Sequence, residues 1–154
     1  MRIIGIRVSP RKVFYSIIEF KNDGIELINQ DLIIPVSFDV PQKLKYVRKT
    51  FMDIFNEYDI IRAGIRITEP FAPSVDNMRI MMEGVIQELI ASSKVESYFV
   101  GVKSSIASRL GLYNDGTITE LIEGRQIYDP IDNWNKLSIE IRECILTAFA
   151  SNNN

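Results

Sequence analysis

Residues 2–34, RIIGIRVSPRKVFYSIIEFKNDGIELINQDLII, decide the fold. Apolar, β-branched and aromatic side chains dominate three stretches of this segment, as they do in strands: residues 2–8, 13–20 and 25–34. Residues 9–12, Ser-Pro-Arg-Lys, predict a tight turn, and the pair Asp23–Gly24 supplies the positive φ that a hairpin turn requires. The segment therefore predicts an antiparallel three-strand meander, which ends at Pro35.

After Pro35 the apolar side chains recur every three or four residues, the period of a helix, in alternation with short apolar runs. The predicted elements are a helix over residues 41–58, a strand over 60–67, a helix over 75–91, a strand over 98–102, a short helix from 104 or 105 to 110 and a last helix over 133–150. Ser74 is the predicted cap of the second helix, and Met78, Met81 and Met82 are predicted to lie in the core. The order β-β-β-α-β-α-β-α-α predicts an α/β protein with a mixed five-stranded sheet and helices on both faces, in which right-handed crossovers place the fourth strand beside the first.

The composition fits one soluble domain. The chain has 154 residues, of which 46% are hydrophobic and 25% are charged, an ordinary mixture for a globular protein. We expect a single domain over residues 1–150 and a disordered tail over residues 151–154. Since no apolar run approaches the roughly 20 residues that span a bilayer, and no signal peptide follows Met1, we expect no membrane association and a cytoplasmic location.

The chain contains no histidine, and Cys144 is its single cysteine. Histidine-dependent nucleophilic catalysis, a cysteine zinc cluster and a disulfide within the chain are therefore excluded. Carboxylate chemistry with Mg²⁺ or Mn²⁺, lysine or tyrosine chemistry, and a role without catalysis remain. The net charge of −2 gives no sign of a dedicated nucleic-acid binder, although a local basic patch would suffice. Residues 113–131 show no clear period beyond a predicted turn at Asn114-Asp115-Gly116.

Two segments resemble one known family. Ile3-Ile4-Gly5-Ile6-Arg7-Val8-Ser9 is similar to the Ile-Gly-Ile-Asp-Pro-Gly that opens the RuvC-type Holliday-junction resolvases, and Val102-Lys103-Ser104-Ser105 is similar to their Val-Lys helix start. Over nearly its whole length the chain resembles the RNase H-like superfamily, and within it the RuvC type. The resemblance implies an RNase H-like fold and, in active members, a carboxylate cluster that holds two divalent metal ions.

The chain departs from the family at the carboxylates. Arg7 stands in the place of the first-strand Asp, and a cation at that position repels metal ions. The family's fourth-strand Glu matches either Arg66 or Glu69. The resemblance therefore implies a degenerate catalytic site. If activity survives, the metal ligands would come from a displaced set: Glu69, Glu19, and Glu140 or Glu143 of the last helix.

The tripeptide Gly-Ile-Arg occurs twice, and it ends at Arg7 and at Arg66. If the first and fourth strands are neighbours, both guanidinium groups project from the same end of the sheet and need a counter-charge, because an unpaired, partly buried cation is costly. Two solutions are open. One is the binding of an anion such as a nucleic-acid phosphate, and the other is ion pairing with a carboxylate of Glu19, Glu69, Glu140 or Glu143.

Further candidate anion-binding residues lie in the first turn, on the polar face of the first helix and at the start of the short helix: Arg11, Lys12, Lys45, Arg48, Lys49 and Lys103. They offer a possible nucleic-acid surface. The bland interpretation of the helical members is a solvated helix face, partly neutralised by Asp53 and Glu57.

Three functions follow from the sequence. The first is a catalytically degenerate RNase H/RuvC-like domain, a pseudo-nuclease without a cofactor, that binds a protein or nucleic-acid partner, or a second copy of itself, in a larger assembly. The second is a nuclease that uses Mg²⁺ or Mn²⁺ and the displaced carboxylate set. The third is an unrelated α/β interaction or regulatory protein.

Overall fold

Five strands form one mixed sheet in the order β3-β2-β1-β4-β5. The computed structural model describes residues 1–113 and 116–153, so Asn114 and Asp115 of the predicted turn lie outside the described residues. The elements are β1 (Arg2–Val8), β2 (Lys12–Lys21), β3 (Gly24–Ile33), α1 (Val40–Glu57), β4 (Arg62–Arg66), α2 (Asn77–Ser92), β5 (Ser97–Gly101), α3 (Lys103–Arg109), α4 (Thr117–Ile122), a 3₁₀ turn (Trp134–Lys136) and α5 (Ile139–Asn152).

The predicted meander and crossovers are confirmed. β1 and β2 pair antiparallel, as do β2 and β3. β4 then pairs parallel with β1, and β5 pairs parallel with β4. The fourth strand therefore lies beside the first, as right-handed crossovers require. No helix within the described part of the chain is both long and apolar enough to cross a membrane.

The sheet separates two hydrophobic layers, and the alternation of side chains along β1 shows how. Ile4 and Ile6 pack against α1 and α2 on one face. Ile3 belongs to the opposite layer, together with Trp134 and Ile145. Because successive strand residues point to opposite faces, Gly5 and Arg7 lie on the same side of the sheet as Ile3. That side is covered by α5.

Two glycines let α5 lie directly on the sheet. Gly5 and Gly64 are register partners on β1 and β4. A Cβ atom at Gly5 would lie 1.8 Å from the carbonyl oxygen of Cys144, and one at Gly64 would lie 2.5 Å from that of Thr147. Such distances are far below van der Waals contact, so only glycine fits at either position. The close approach buries α5 on nearly all sides, including its charged residue Arg142.

The start of α2 differs from the prediction. Asp76, not Ser74, caps the helix, and its Oδ1 accepts from the backbone N–H of Arg79 at 2.8 Å. Both residues have suitable side chains, and Asp76 is the one that immediately precedes the first helical residue. Met82 is fully buried as predicted, but Met81 is exposed and Glu83 is buried.

The C-terminal region differs more. The last helix begins at Ile139, where the Ser138 hydroxyl accepts from Ile141 N–H at 3.3 Å, and not at residue 133. Trp134 instead starts the separate 3₁₀ turn, in which its indole N–H donates to the carbonyl of Leu121 at 2.8 Å. Leu121 belongs to α4, a helix that the sequence did not reveal. At the other end α5 extends through residue 152, two residues into the segment predicted as a disordered tail.

Candidate active-site position

The candidate site lies where β1 and β4 end beneath α5. Arg7 and Arg66 are the last register pair of these parallel strands, so both side chains leave the same end and the same face of the sheet. The predicted proximity of the two arginines is therefore confirmed. Glu143, from the second turn of α5, reaches down between them. The glycine contacts described above bring this carboxylate within reach.

Both guanidinium groups have carboxylate partners. Arg7 Nε lies 2.6 Å from Oε2 of Glu143, and Arg66 Nε lies 3.8 Å from the same oxygen. Arg66 also uses Nη2, which lies 2.9 Å from Oε1 of Glu69. The side chains of Arg66 and Glu143 are each only 9% exposed. Of the two solutions that the sequence left open, the ion-paired one is found, with Glu143 as the carboxylate that contacts both arginines.

A second buried pair adjoins the first. Arg79 Nε lies 2.9 Å from Oε1 of Glu83, which also accepts from the N–H and the hydroxyl of Thr68 at 3.0 and 2.9 Å. Burial lowers the pKa of the Arg79 guanidinium below its ordinary value, and the positive charges of Arg7 and Arg66 lower it further, while Glu83 opposes them. Three arginines thus share one region of low solvent access.

Sequence reasoning missed the pair of Arg79 and Glu83. A signal was present, because the two residues are four apart on α2, a spacing that places them on one helix face. Glu83 lies among apolar residues such as Met82 and Ile86, which indicate a core-facing helix side and no ion pair. A carboxylate between buried apolar residues usually indicates a buried partner.

Main-chain and hydroxyl groups complete the site. The backbone N–H of Lys103 donates to Oε1 of Glu69 at 3.1 Å, which joins the start of α3 to the segment that follows β4. Arg7 Nη1 donates to the Ser9 hydroxyl at 2.6 Å. Lys103, predicted as an anion-binding side chain, contributes here through its backbone, while the residue borders a separate pocket between α3 and α4.

A cleft of 360 Å³ opens beside these groups. Arg66, Thr68 and Glu69 form one wall, and Arg79 with the loop that precedes α2 forms the other. The side chain of Phe71, in that loop, is almost completely exposed. Charged side chains therefore line both walls of the cleft.

Other predicted site residues lie elsewhere. Glu19 pairs with Arg2 at 3.3 Å, at the opposite end of β1 from Arg7. Arg2 and Arg7 are five positions apart along the strand, a distance of about 16 Å. The prediction that Glu19 joins the displaced carboxylate set is therefore wrong. Glu140 lies one turn before Glu143 on α5 and is half-buried.

The predicted basic surface is partly neutralised. Lys12 pairs with Asp31 at 2.8 Å, and Arg48 pairs with Glu88 at 2.9 Å. Three other members of the predicted surface are exposed: Arg11, Lys45 and Lys49. Surface pairs of this kind contribute little to stability, but they reduce the net positive charge that a phosphate backbone would meet.

The residues present do not fit a two-metal centre. Among residues 1–113 and 116–153, no group of three His, Cys, Asp or Glu side chains is placed to hold a metal ion. The carboxylate oxygens nearest the family's position contact guanidinium groups instead: Oε2 of Glu143 and Oε1 of Glu69 and Glu83. A cation in ion-pair contact takes the place that a metal ion would need.

Comparison with known proteins gives a likeness in structure but none in sequence. No protein-family model and no curated protein matches the chain. Thermus thermophilus RuvC superposes with a TM-score of 0.68 at 8% sequence identity. RuvC of the same organism in complex with Holliday junction substrate superposes with a TM-score of 0.70 at 6% sequence identity. Each match covers 97% of this chain and 92% of the other chain. The yeast mitochondrial Holliday junction resolvase Ydc2 superposes at 0.58 with 12% identity, over 96% of this chain and 75% of that one. At such identities the likeness concerns the fold alone.

Proposed function

We propose that this chain, which has a RuvC-type RNase H-like fold, is a domain that binds a partner without cleaving nucleic acid. One observation carries the proposal: the guanidinium of Arg7 lies 2.6 Å from Glu143 at the end of the first strand, where the family resemblance expects a metal-binding Asp. The partner is a protein or a nucleic acid, and the domain belongs to a larger assembly. The proposed location is the cytoplasm.

The electrostatics of the site support this role. A two-metal centre works because several carboxylates create a negative site that two divalent cations neutralise. Here three arginines balance three glutamates: Arg7, Arg66 and Arg79 against Glu69, Glu83 and Glu143. A metal ion entering this neutral cluster would have to displace a buried guanidinium, which would lose its counter-charge.

A binding role is compatible with both partner classes. One of the structurally similar proteins is RuvC in complex with Holliday junction substrate, and on this chain Arg11, Lys45 and Lys49 remain exposed for phosphate contacts. The exposed Phe71 beside the cleft suits stacking on a base or insertion into a protein surface.

The test measures cleavage and binding in the same tubes. Branched, duplex and single-stranded DNA and RNA are incubated with the protein and Mg²⁺ or Mn²⁺, and products and bound fraction are recorded together. We expect no cleavage of any substrate. Cleavage that is lost in Glu69→Gln and retained in the matched control Glu19→Gln, a carboxylate at the far end of the sheet, would overturn the proposal.

Binding has its own control. If nucleic acid is the partner, affinity falls steeply with salt, and the pair Lys45→Ala with Lys49→Ala lowers the salt dependence because fewer counterions are released. An affinity that changes neither with salt concentration nor with these substitutions would show that the interaction uses another surface.

A displaced metal-dependent nuclease remains the second candidate, because Glu69 and Glu143 both contact Arg66 and so lie close to each other. With Glu19 excluded, its ligands would have to be Glu69, Glu140 and Glu143. This candidate requires that Mn²⁺ raises the melting temperature of the unmodified protein and that Glu143→Gln abolishes the rise.

A further inference from the structure

Two adjoining cavities lie between α2 and the segment that follows β4. The first is the charged cleft described above, which Arg66 and Arg79 line. The second is a groove of 350 Å³, here called the apolar groove because four of its lining residues are apolar: Ile67, Pro70, Val75 and Ile80. The two cavities share three lining residues, Thr68, Glu69 and Val75. One ligand can therefore occupy both cavities together.

The apolar groove presents aliphatic side chains that a ligand can cover. Val75 is 48% exposed and Ile80 is 44% exposed. Gly84, one turn after Ile80 on α2, lines the groove without adding a side chain to it. Because removing aliphatic surface from water is favourable, the groove favours an aliphatic group of the ligand.

Arg79, in the cleft, has an unused hydrogen-bond donor. Its Nε lies 2.9 Å from Oε1 of Glu83, but no acceptor in the described part of the chain lies within hydrogen-bond distance of its buried Nη2. Arg66 Nε is also without a hydrogen bond there, since Oε2 of Glu143 lies 3.8 Å away. Buried donors without acceptors are costly. The Arg79 side chain is 18% exposed and lines the cleft, so an acceptor bound in the cleft can approach it.

The missing acceptor should carry negative charge. Burial and the positive charges of Arg7 and Arg66 hold the pKa of Arg79 below its ordinary value, although Glu83 opposes them. A further negative charge beside Arg79 would stabilise its charged form. A carboxylate suits a guanidinium group well, because its two oxygens can accept parallel hydrogen bonds.

The carboxylates of the two cavities restrict which anion can bind. Glu69 and Asp76 line the cleft, and Glu83 lines the apolar groove. A nucleic-acid strand brings a row of phosphates and needs clustered positive charge, so its phosphates would face these carboxylates. A single carboxylate can contact Arg79 alone. The aliphatic groove beside it then suits a neighbouring apolar side chain, and the two cavities together favour a segment of protein.

We propose that the cleft and the apolar groove bind an extended segment of a partner protein. In that segment a Glu or Asp side chain contacts Arg79, and an aliphatic side chain within two residues of it packs against Val75 and Ile80. This inference rests on the proposed binding function, for which it names the partner class.

The first experiment uses three synthetic peptides and the full-length chain. Each peptide places one Glu and one Leu in a Gly-Ser background, separated by zero, one or two residues, and carries a fluorescent label for anisotropy measurements. We expect at least one spacing to bind. Replacing the Glu of that peptide by Gln should weaken its binding at least about tenfold, because the contact with Arg79 then loses its charge.

Ile80→Glu and Met81→Glu form a matched pair on α2. The two residues are 44% and 38% exposed, so both variants should fold, and thermal melts check this. Of the two, only Ile80 lines the apolar groove. Ile80→Glu places a charge where the peptide Leu packs and repels the peptide Glu, so it should weaken binding at least about tenfold. Met81→Glu should change the affinity less than about twofold, and equal effects of the two substitutions would contradict the proposed site.

Arg79→Lys tests the carboxylate contact itself. Lysine keeps a positive charge for Glu83, but its single nitrogen lacks the fork of a guanidinium group. The change from Glu to Gln in the peptide should therefore cost about tenfold with the unmodified chain and less than about threefold with Arg79→Lys. Both peptides are measured on the same variant, so a loss of stability does not alter their ratio. An undiminished ratio would refute the contact between Arg79 and the carboxylate.

Two further results would overturn the proposal. One is the absence of binding by all three peptides at protein concentrations up to about 1 mM. The other is binding of a single-stranded oligonucleotide in place of the peptides, weakened by Ile80→Glu and not by Met81→Glu, which would assign the two cavities to nucleic acid. Peptide binding is measured without any nucleic-acid substrate, so failure of this site and failure of the non-cleaving role can be told apart.

Discussion

The charge arrangement around Glu143 predicts an unequal cost for the two halves of its ion pair with Arg7. Replacing Glu143 by Met removes the negative charge between Arg7 and Arg66, which both contact its Oε2, and leaves Arg7 without a carboxylate partner while Arg66 keeps Glu69. Replacing Arg7 by Met still leaves Glu143 with Arg66, 3.8 Å away. Methionine approximates the length of both side chains, so cavity effects are small.

The magnitudes follow from burial. Removing one partner of a buried pair costs about 3–5 kcal/mol. The Glu143 side chain is 9% exposed, so we expect Glu143→Met to cost about 3 kcal/mol of the free energy of unfolding. The Arg7 side chain is 19% exposed and its loss leaves a compensated carboxylate, so we expect Arg7→Met to cost about 1–2 kcal/mol. The double variant should cost less than the sum, with a coupling energy of about 1–2 kcal/mol.

Urea unfolding followed by circular dichroism gives the four free energies of this cycle, provided that the m-values agree. Equal costs for the two single variants would refute the idea that Glu143 serves both arginines. Additivity of the two substitutions within about 0.5 kcal/mol would refute the direct pair.

Three further predictions concern the packing of α5. Gly5→Ala should destabilise the protein by at least about 3 kcal/mol, because its methyl group meets the Cys144 carbonyl. Gly84→Ala, on an open part of α2, should instead stabilise the protein by about 0.5–1 kcal/mol. Thermal melts in which Gly5→Ala is not the less stable variant would contradict the packing. Burial raises the pKa of the Cys144 thiol well above its ordinary value, so this thiol should resist Ellman's reagent at pH 8 until denaturant is added, and fast labelling of the native protein would contradict the burial. Arg142 donates to the carbonyls of Trp134 (3.1 Å), Ile122 (2.7 Å) and Asn135 (3.1 Å), so Arg142→Met should cost about 3 kcal/mol in urea unfolding by leaving these carbonyls without a donor; a cost below about 1 kcal/mol would show that water replaces the guanidinium.

The strands and their neighbours were predictable because the evidence for them is local. The apolar, β-branched residues of Arg2–Val8 and the Asp-Gly turn define hairpins within a few residues. The second Gly-Ile-Arg at Gly64–Arg66 then pairs in register with the first, so the proximity of the two arginines needed only the crossover rule.

The carboxylates were harder to place because their positions depend on tertiary packing. Which glutamate meets the arginines depends on how closely α5 approaches the sheet, and no pattern within α5 reveals that distance. Glu19 is a different case. The tight turn pairs Val8 with Val13, and counting outward along both strands puts Glu19 opposite Arg2. The register of the hairpin therefore already excludes Glu19 from the site at Arg7.

The short elements escaped prediction for another reason. α4 has six residues, too few to establish a period, and it follows Gly116 with a φ of 97°. The 3₁₀ turn at Trp134–Lys136 is shorter still. Trp134 falls inside the predicted last helix, but in the structure it lies outside α5, and its buried indole N–H joins the 3₁₀ turn to α4.

The glycine contacts under α5 fix how closely this helix can approach the sheet. Because main-chain atoms of the helix touch main-chain atoms of β1 and β4 at Gly5 and Gly64, the height of α5 above the sheet is set by backbone thickness. Glu143 is the neighbour of Cys144, whose carbonyl packs against Gly5. The closest approach of α5 to the sheet therefore also sets the distance between the Glu143 carboxylate and the arginines. A single methyl group at either glycine would raise the helix, part the charges and admit water between them. The strength of the central ion pair is thus governed by two residues that carry neither charge nor side chain.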